Sequence, residues 1–155
     1  MKTSNSLENL TEHLDEWQVF RDILSSLKNG ERIWIRGVYQ TGLGFLLAGL
    51  KKKLKTAILV VFADDEEARA FFNDVKEFLP EETYYLPNYD FALQTTDIVY
   101  EETLNERVTS LYKLLSDKSS PLIITPLKSF IQRMASPSSF ISSIVHFKIG
   151  ENRRR

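Results

Sequence analysis

Apolar side chains at Leu7, Leu10, Leu14, Trp17, Phe20, Leu24 and Leu27 recur at helical spacing, with a break expected near Glu16. Gly30, in "KNGER", ends that pattern. "RIWIRG" (32–37) then reads as a buried strand, and "LGFLLAGLKKKLK" (43–55) as a helix whose basic end suits the negative pole of a helix C-terminus. "TAILVVFA" (56–63) is fully apolar, as expected of a strand in a parallel sheet covered on both faces. "DDEEARAFFNDVKEFLP" follows as a helix, with Asp64 as N-cap and Glu67, three residues on, as its capping partner. "ETYYLP" reads as a third strand, and "NYDFALQTTDIVYEE" has no clean period and reads as a long loop. "ETLNERVTSLYKLLSDK" places Leu104, Val108, Leu111, Tyr112 and Leu115 on one side of a helix. "SPLIITP" is a fourth strand, "LKSFIQRMASPSSF" a short helix and turn, "SSIVHFKIG" a last strand and "ENRRR" a polar end.

Strands and helices alternate five times. The economical fold is an open α/β sheet, mainly parallel, with helices on both faces and right-handed crossovers. Residues 1–30 read as a helical segment packed on the domain, 31–150 as the α/β domain itself, and 151–155 as the start of a linker or a truncation. Ligand sites in such sheets lie at the carboxyl ends of strands. A glycine-bearing stretch sits at one of them.

That stretch is "GVYQTGLG", from Gly37 to Gly44. The phosphate-binding pattern G-x-x-x-x-G-K-[ST] needs glycines at its first and sixth positions, and Gly37 and Gly42 occupy them. It next needs a lysine for the terminal phosphates and a hydroxyl for Mg²⁺; Leu43 and Gly44 stand there instead. Each missing charge-assisted contact forfeits about 1.5–3 kcal/mol of binding. Losing the metal ligand removes charge neutralisation in the transition state as well. Backbone donors alone can hold an anion weakly, but they do not make an ATPase. Two readings stand: a degenerate phosphate loop, or a tight strand-to-helix turn. Under the first, the surviving glycines are structural and take backbone angles costly for other residues.

The remaining candidates read as structural. "ILVVFADDEE" has the look of a metal-binding strand end, yet Asp64 and Glu67 are accounted for by capping. Lys51 to Lys55 read as a solvated helix end, and Arg153 to Arg155 as the beginning of a linker. His13 and His146 are isolated, without the spacing of a triad or a metal site. Tyr89, Phe91 and Tyr100 could stack on bases, but Asp90, Asp97, Glu101 and Glu102 beside them repel a phosphate backbone.

Composition adds limits. The 155 residues suffice for one domain with its own core. The formal net charge of −1 provides no global field for nucleic acid or membrane. Without cysteine there are no disulfides and no thiolate metal sites, which fits a reducing cytoplasm. No apolar run reaches membrane-spanning length. The acidic, amphipathic N-terminus is not a signal peptide.

Taken in order, "RGVYQTGLG", "AILVVFADDEEARAFFNDVKEFLP", "LPNYDFALQTTDIVYEETLNERVTSLYKLL" and "PLIITPLKSFIQRMASPSSF" resemble the N-terminal region of bacterial transcription-repair coupling factor (Mfd). That region is itself similar to the first domain of the excision-repair protein UvrB. Asp97, Ile98, Arg107, Leu111, Tyr112 and Leu114 supply a variant of the family's "D-I-x-x-E-R-x-x-x-L-Y-x-L" helix, with extra residues between Ile98 and Arg107. Thr125, Pro126, Ile131, Gln132 and Arg133 match its Thr-Pro strand end and "L-x-Q-R" turn. The likeness covers about Ile33 to Gly150.

The resemblance implies a P-loop or helicase-like fold in which the N-terminal copy has lost its catalytic residues. It implies no cofactor for this chain, ATP and Mg²⁺ belonging to a separate translocase module of the full-length protein. The implied partners are UvrA, other domains of the same protein, and RNA polymerase and DNA through the full-length protein. "NYDFALQTTDIVYEE" is too short and too acidic to be UvrB's damage-inserting hairpin. The family's UvrA-binding surface lies mainly in the next subdomain, expected to begin around "SSIVHFKIG", so no UvrA-contact residue is assigned. Two alternatives remain: the first motor domain of a UvrB-like helicase with an unusual ATP site, and an unrelated α/β domain binding a small anion at Gly42.

Overall fold

The computed structural model describes residues 13–80, 82–88, 97–116 and 120–145. A 3-10 turn, His13–Glu16, leads into helix α1, Gln18–Lys28. The break between them falls at Trp17, and Gly30, at φ +74°, turns the chain away after α1. Helix α2 spans Gln40–Leu54, strand β1 Ile58–Phe62, helix α3 Asp65–Phe78 and strand β2 Thr83–Tyr85. Helix α4 spans Asp97–Ser116, strand β3 Leu122–Pro126, and the short helices α5 and α6 Leu127–Phe130 and Pro137–Ser142. The first twelve residues, most of the aromatic loop, the second half of "SSIVHFKIG" with His146, and the terminal arginines lie outside the described residues.

The three strands form one parallel sheet in the order β1-β3-β2. Two expectations fail here. "RIWIRG" forms no strand: residues 31–36 have no regular structure, and Trp34 is 90% exposed. A strand exists through its ladder, and no described strand lies beside this segment. Nor is "SSIVHFKIG" a strand in its described part, since Ser142 closes α6 and residues 143–145 are irregular. The expected long loop is shorter as well, because α4 begins at Asp97 and takes in Tyr100, Glu101 and Glu102.

One face of the sheet carries the main core. Ile58, Val60 and Phe62 of β1, Leu122 and Ile124 of β3, and Tyr85 of β2 meet Ala68, Phe71, Phe72 and Val75 of α3, with Leu43 and Leu47 of α2 against them. The spacing of the α3 residues is that of one helical stripe. Asp64 caps α3, its side chain accepting from Glu67 N–H at 2.8 Å, as expected. The opposite face carries Tyr84, under the Lys113 ammonium of α4, and Thr125. Helices therefore cover both faces, though unequally. Leu59 and Val61 were expected to be buried, yet they are 45% and 41% exposed.

A second cluster joins the N-terminal segment to α2. Leu14 and Phe20 pack on Leu50, with Ile23, Leu24, Phe45, Leu46 and Leu54 around them. Gly49 makes the close approach possible. A Cβ there would overlap Leu14 Cδ1 and sit 3.3 Å from the Phe20 ring.

Candidate functional site

The glycine stretch splits between turn and helix. Gly37 takes φ +78°, which favours glycine, with nothing near its missing side chain. Gly42 does not: α2 starts at Gln40, so Gly42 is its third residue, with no positive φ. The expectation that Gly42 sits in the loop on special backbone angles is therefore corrected. A Cβ at Gly42 would meet only Val38 Cγ1, at 3.4 Å. Leu43 is half-buried against the main core, and Gly44 is buried within the helix.

A phosphate cradle needs successive backbone N–H groups converging on one point, followed by a cation. Of the glycine stretch only three residues, Gly37 to Tyr39, precede the helix. Tyr39 sits at the N-cap without a side-chain capping bond, is 87% exposed, and is followed by no acid in the first turn. Where a phosphate loop presents its lysine, Leu43 turns an apolar side chain into the protein. The turn can offer the helix N-terminus to solvent, but it has neither the charge nor the metal ligand of a nucleotide site.

Three further candidates resolve into structure. The acids after β1 have structural partners: Asp64 caps α3, and Asp65 Oδ1 accepts from the buried Tyr85 hydroxyl at 2.8 Å. Lys51 corrects the reading of a wholly solvated basic end, since it is buried and paired with Glu82 at 2.5 Å. Lys53 pairs with Asp15, tying α2 to the N-terminal turn. His13 is exposed beside Glu16, 3.5 Å away. Among the described residues no group of His, Cys, Asp and Glu side chains can hold a metal ion.

Two polar clusters went unnoticed in the sequence, both near the carboxyl ends of β2 and β3. In one, Arg69 of α3 donates two hydrogen bonds to Glu106 of α4, at 2.6 and 2.7 Å, and its guanidinium lies 3.8 Å over the Tyr85 ring. The bond to Glu106 holds the Arg69 guanidinium above its usual range. Burial, then the bond to Asp65, raises the Tyr85 phenol well above its ordinary value. In the other, Arg107 is only 7% exposed and donates to Pro87 O at 2.5 Å and Ser129 Oγ at 2.6 Å. Ser129 Oγ donates in turn to the same carbonyl, at 2.8 Å. Burial lowers the Arg107 pKa. Nearby, Gln132 donates to Asn88 at 2.8 Å, and Thr125 Oγ1 to Leu86 O at 2.9 Å. These bonds hold the exits of β2 and β3 to α4 and α5. Each charged or phenolic group is committed to a structural partner, so neither cluster presents a poised acid or base.

No family model and no solved structure matches the chain. Curated relatives do. The chain is 25% identical over 151 residues to UvrABC system protein B of Leptospira biflexa, an alignment covering 88% of this chain and 23% of the relative. It is 22% identical over 153 residues to UvrABC system protein B of Pasteurella multocida, covering 88% of this chain and 22% of the relative. The chain is thus UvrB-like along most of its length. It spans less than a quarter of these relatives. The likeness points toward nucleotide-excision repair without distinguishing coupling factors from UvrB itself.

Proposed function

We propose that this chain is the non-catalytic, UvrB-like N-terminal module of a transcription-repair coupling factor. On this reading it serves recruitment of UvrA and restrains the rest of its own protein until repair is needed. The full-length protein is then an ATP-dependent DNA translocase that displaces stalled RNA polymerase, with ATP and Mg²⁺ used in a separate motor module. The single observation that carries the non-catalytic part is Leu43, an apolar residue packed on the core where a nucleotide site needs lysine. Likeness to UvrABC system protein B supports the repair setting.

The relatives' name favours a second reading, the first motor domain of a UvrB-like helicase. The two part on nucleotide and partner. A UvrA co-sedimentation assay, run with and without ATP, tests the first. Binding that does not depend on nucleotide supports the recruitment module. Binding that requires ATP hydrolysed by this chain supports the helicase.

A further inference from the structure

We propose that α4 is a detachable cover: polar side chains latch it to the domain, and it opens as a unit while the sheet and α3 stay folded. Helices of globular proteins are held chiefly by an apolar face buried in the core. Among the described residues, α4 contributes no side chain to either apolar cluster. Leu104, Leu111 and Leu114 are half-buried outside both clusters. Val108, Tyr112 and Leu115 are 44%, 38% and 37% exposed.

A polar stripe faces the domain instead. Glu106, Arg107, Ser110 and Lys113 follow one another at i, i+1, i+4, i+7 spacing. Glu106 accepts both bonds from Arg69 of α3. Arg107 donates to Pro87 O and Ser129 Oγ, and Ser110 Oγ donates to Tyr85 O at 2.6 Å. The Lys113 ammonium lies 5.8 Å from the centre of the Tyr84 ring. Water can replace each of these partners when the helix lifts, so each bond contributes far less to stability than its strength in isolation. The side chains of the Arg69–Glu106 pair are 38% and 33% exposed, which also opens the pair to screening by salt.

The main core closes without α4. Ala68, Phe71, Phe72 and Val75 of α3 pack on Tyr85, Leu122 and Ile124 at the other face of the sheet, and lifting α4 removes none of these contacts. Its release uncovers the face that carries Leu59, Ile123 and Tyr84, which stand side by side across the strand register. Tyr84 is 8% exposed while the cover is closed. Tertiary packing supplies most of a helix's stability, so a released α4 melts and its amides exchange with solvent.

Native-state amide hydrogen exchange of the 155-residue chain, read by NMR, tests this. Amides within 104–115 of α4 are expected to exchange about tenfold or more faster than the slowest amides of α3 and β3, through an opening smaller than global unfolding. Ile124→Val loosens the core beneath α3, so it should quicken α3 and β3 exchange severalfold and leave that of α4 unchanged, because the opened state keeps this contact. Glu106→Gln should quicken α4 exchange by about tenfold, the worth of a charge-assisted bond. Raising sodium chloride from about 0.05 to about 0.5 M should act in the same direction on the parent chain. Three results overturn the proposal. Exchange of α4 and α3 through one common opening makes α4 part of the cooperative core. Acceleration of α4 by Ile124→Val as large as that of α3 does the same. Exchange of α4 that is indifferent to Glu106→Gln or to salt means that no polar latch holds it.

Discussion

Two glycines on one helix should respond to the same substitution with opposite sign. Alanine is favoured over glycine in a helix interior by about 0.8–1 kcal/mol. At Gly42 nothing opposes that gain, because the new Cβ meets only Val38 Cγ1 at 3.4 Å and the backbone φ is not positive. Gly42→Ala is therefore expected to stabilise the protein by about 0.5–1 kcal/mol. At Gly49 the same methyl overlaps Leu14 Cδ1 and crowds the Phe20 ring at 3.3 Å, and both residues are 2% exposed, with little room to give. Overpacking of that kind costs about 1–3 kcal/mol. Set against the same helical gain, Gly49→Ala is expected to destabilise by up to about 2 kcal/mol. Urea unfolding followed by circular dichroism reads both. If Gly49→Ala stabilises as much as Gly42→Ala, the N-terminal turn and α1 are not docked on α2. If Gly42→Ala destabilises, that glycine sits in a loop conformation and α2 does not begin at Gln40.

Other outcomes follow from the core and the buried polar ties. Leu43→Ala should cost about 1–2 kcal/mol, below the usual range for a fully buried leucine because Leu43 is half-buried, and unchanged urea stability would mean the side chain fills no core space. Arg107→Met should cost about 1.5–3 kcal/mol by removing a charge-assisted tie between α4, Pro87 and Ser129, with a thermal melt as the measure. The Tyr85 phenol is raised in the folded state, so its contribution is complete below the unfolded value of about 10 and is lost as pH climbs toward the folded value. Stability should thus fall above about pH 10, and Tyr85→Phe should flatten that part of the profile; identical slopes in parent and variant would refute the assignment.

The legible parts of the fold were those where local chemistry and tertiary packing agree. β1, β2 and β3 fall inside apolar runs, and the Asp64 cap marks the start of α3 where its side chain bonds Glu67 N–H. "RIWIRG" failed because its propensity is local while a strand is not; Ile33, Trp34 and Ile35 have the right side chains and no neighbouring ladder. α2 begins three residues before the expected Leu43, because glycines suggest a loop where one more turn of helix hydrogen-bonds Leu43 N–H to Tyr39 O at 2.8 Å. At the candidate site, the absence of lysine and hydroxyl was plain from "GVYQTGLG". The inward packing of Leu43 was not, nor was the joining of Arg69, Tyr85 and Glu106, which are distant in sequence and meet only through the packing of α3, β2 and α4.

The most direct test of a non-catalytic turn at Gly37 to Gly44 is a calorimetric titration of the chain with ATP and Mg²⁺ at physiological ionic strength. With Leu43 and Gly44 in place of lysine and a hydroxyl, no saturable heat is expected up to millimolar nucleotide. Saturable binding at micromolar ATP, lost in Leu43→Glu, would contradict the non-catalytic reading and make this turn a working nucleotide site.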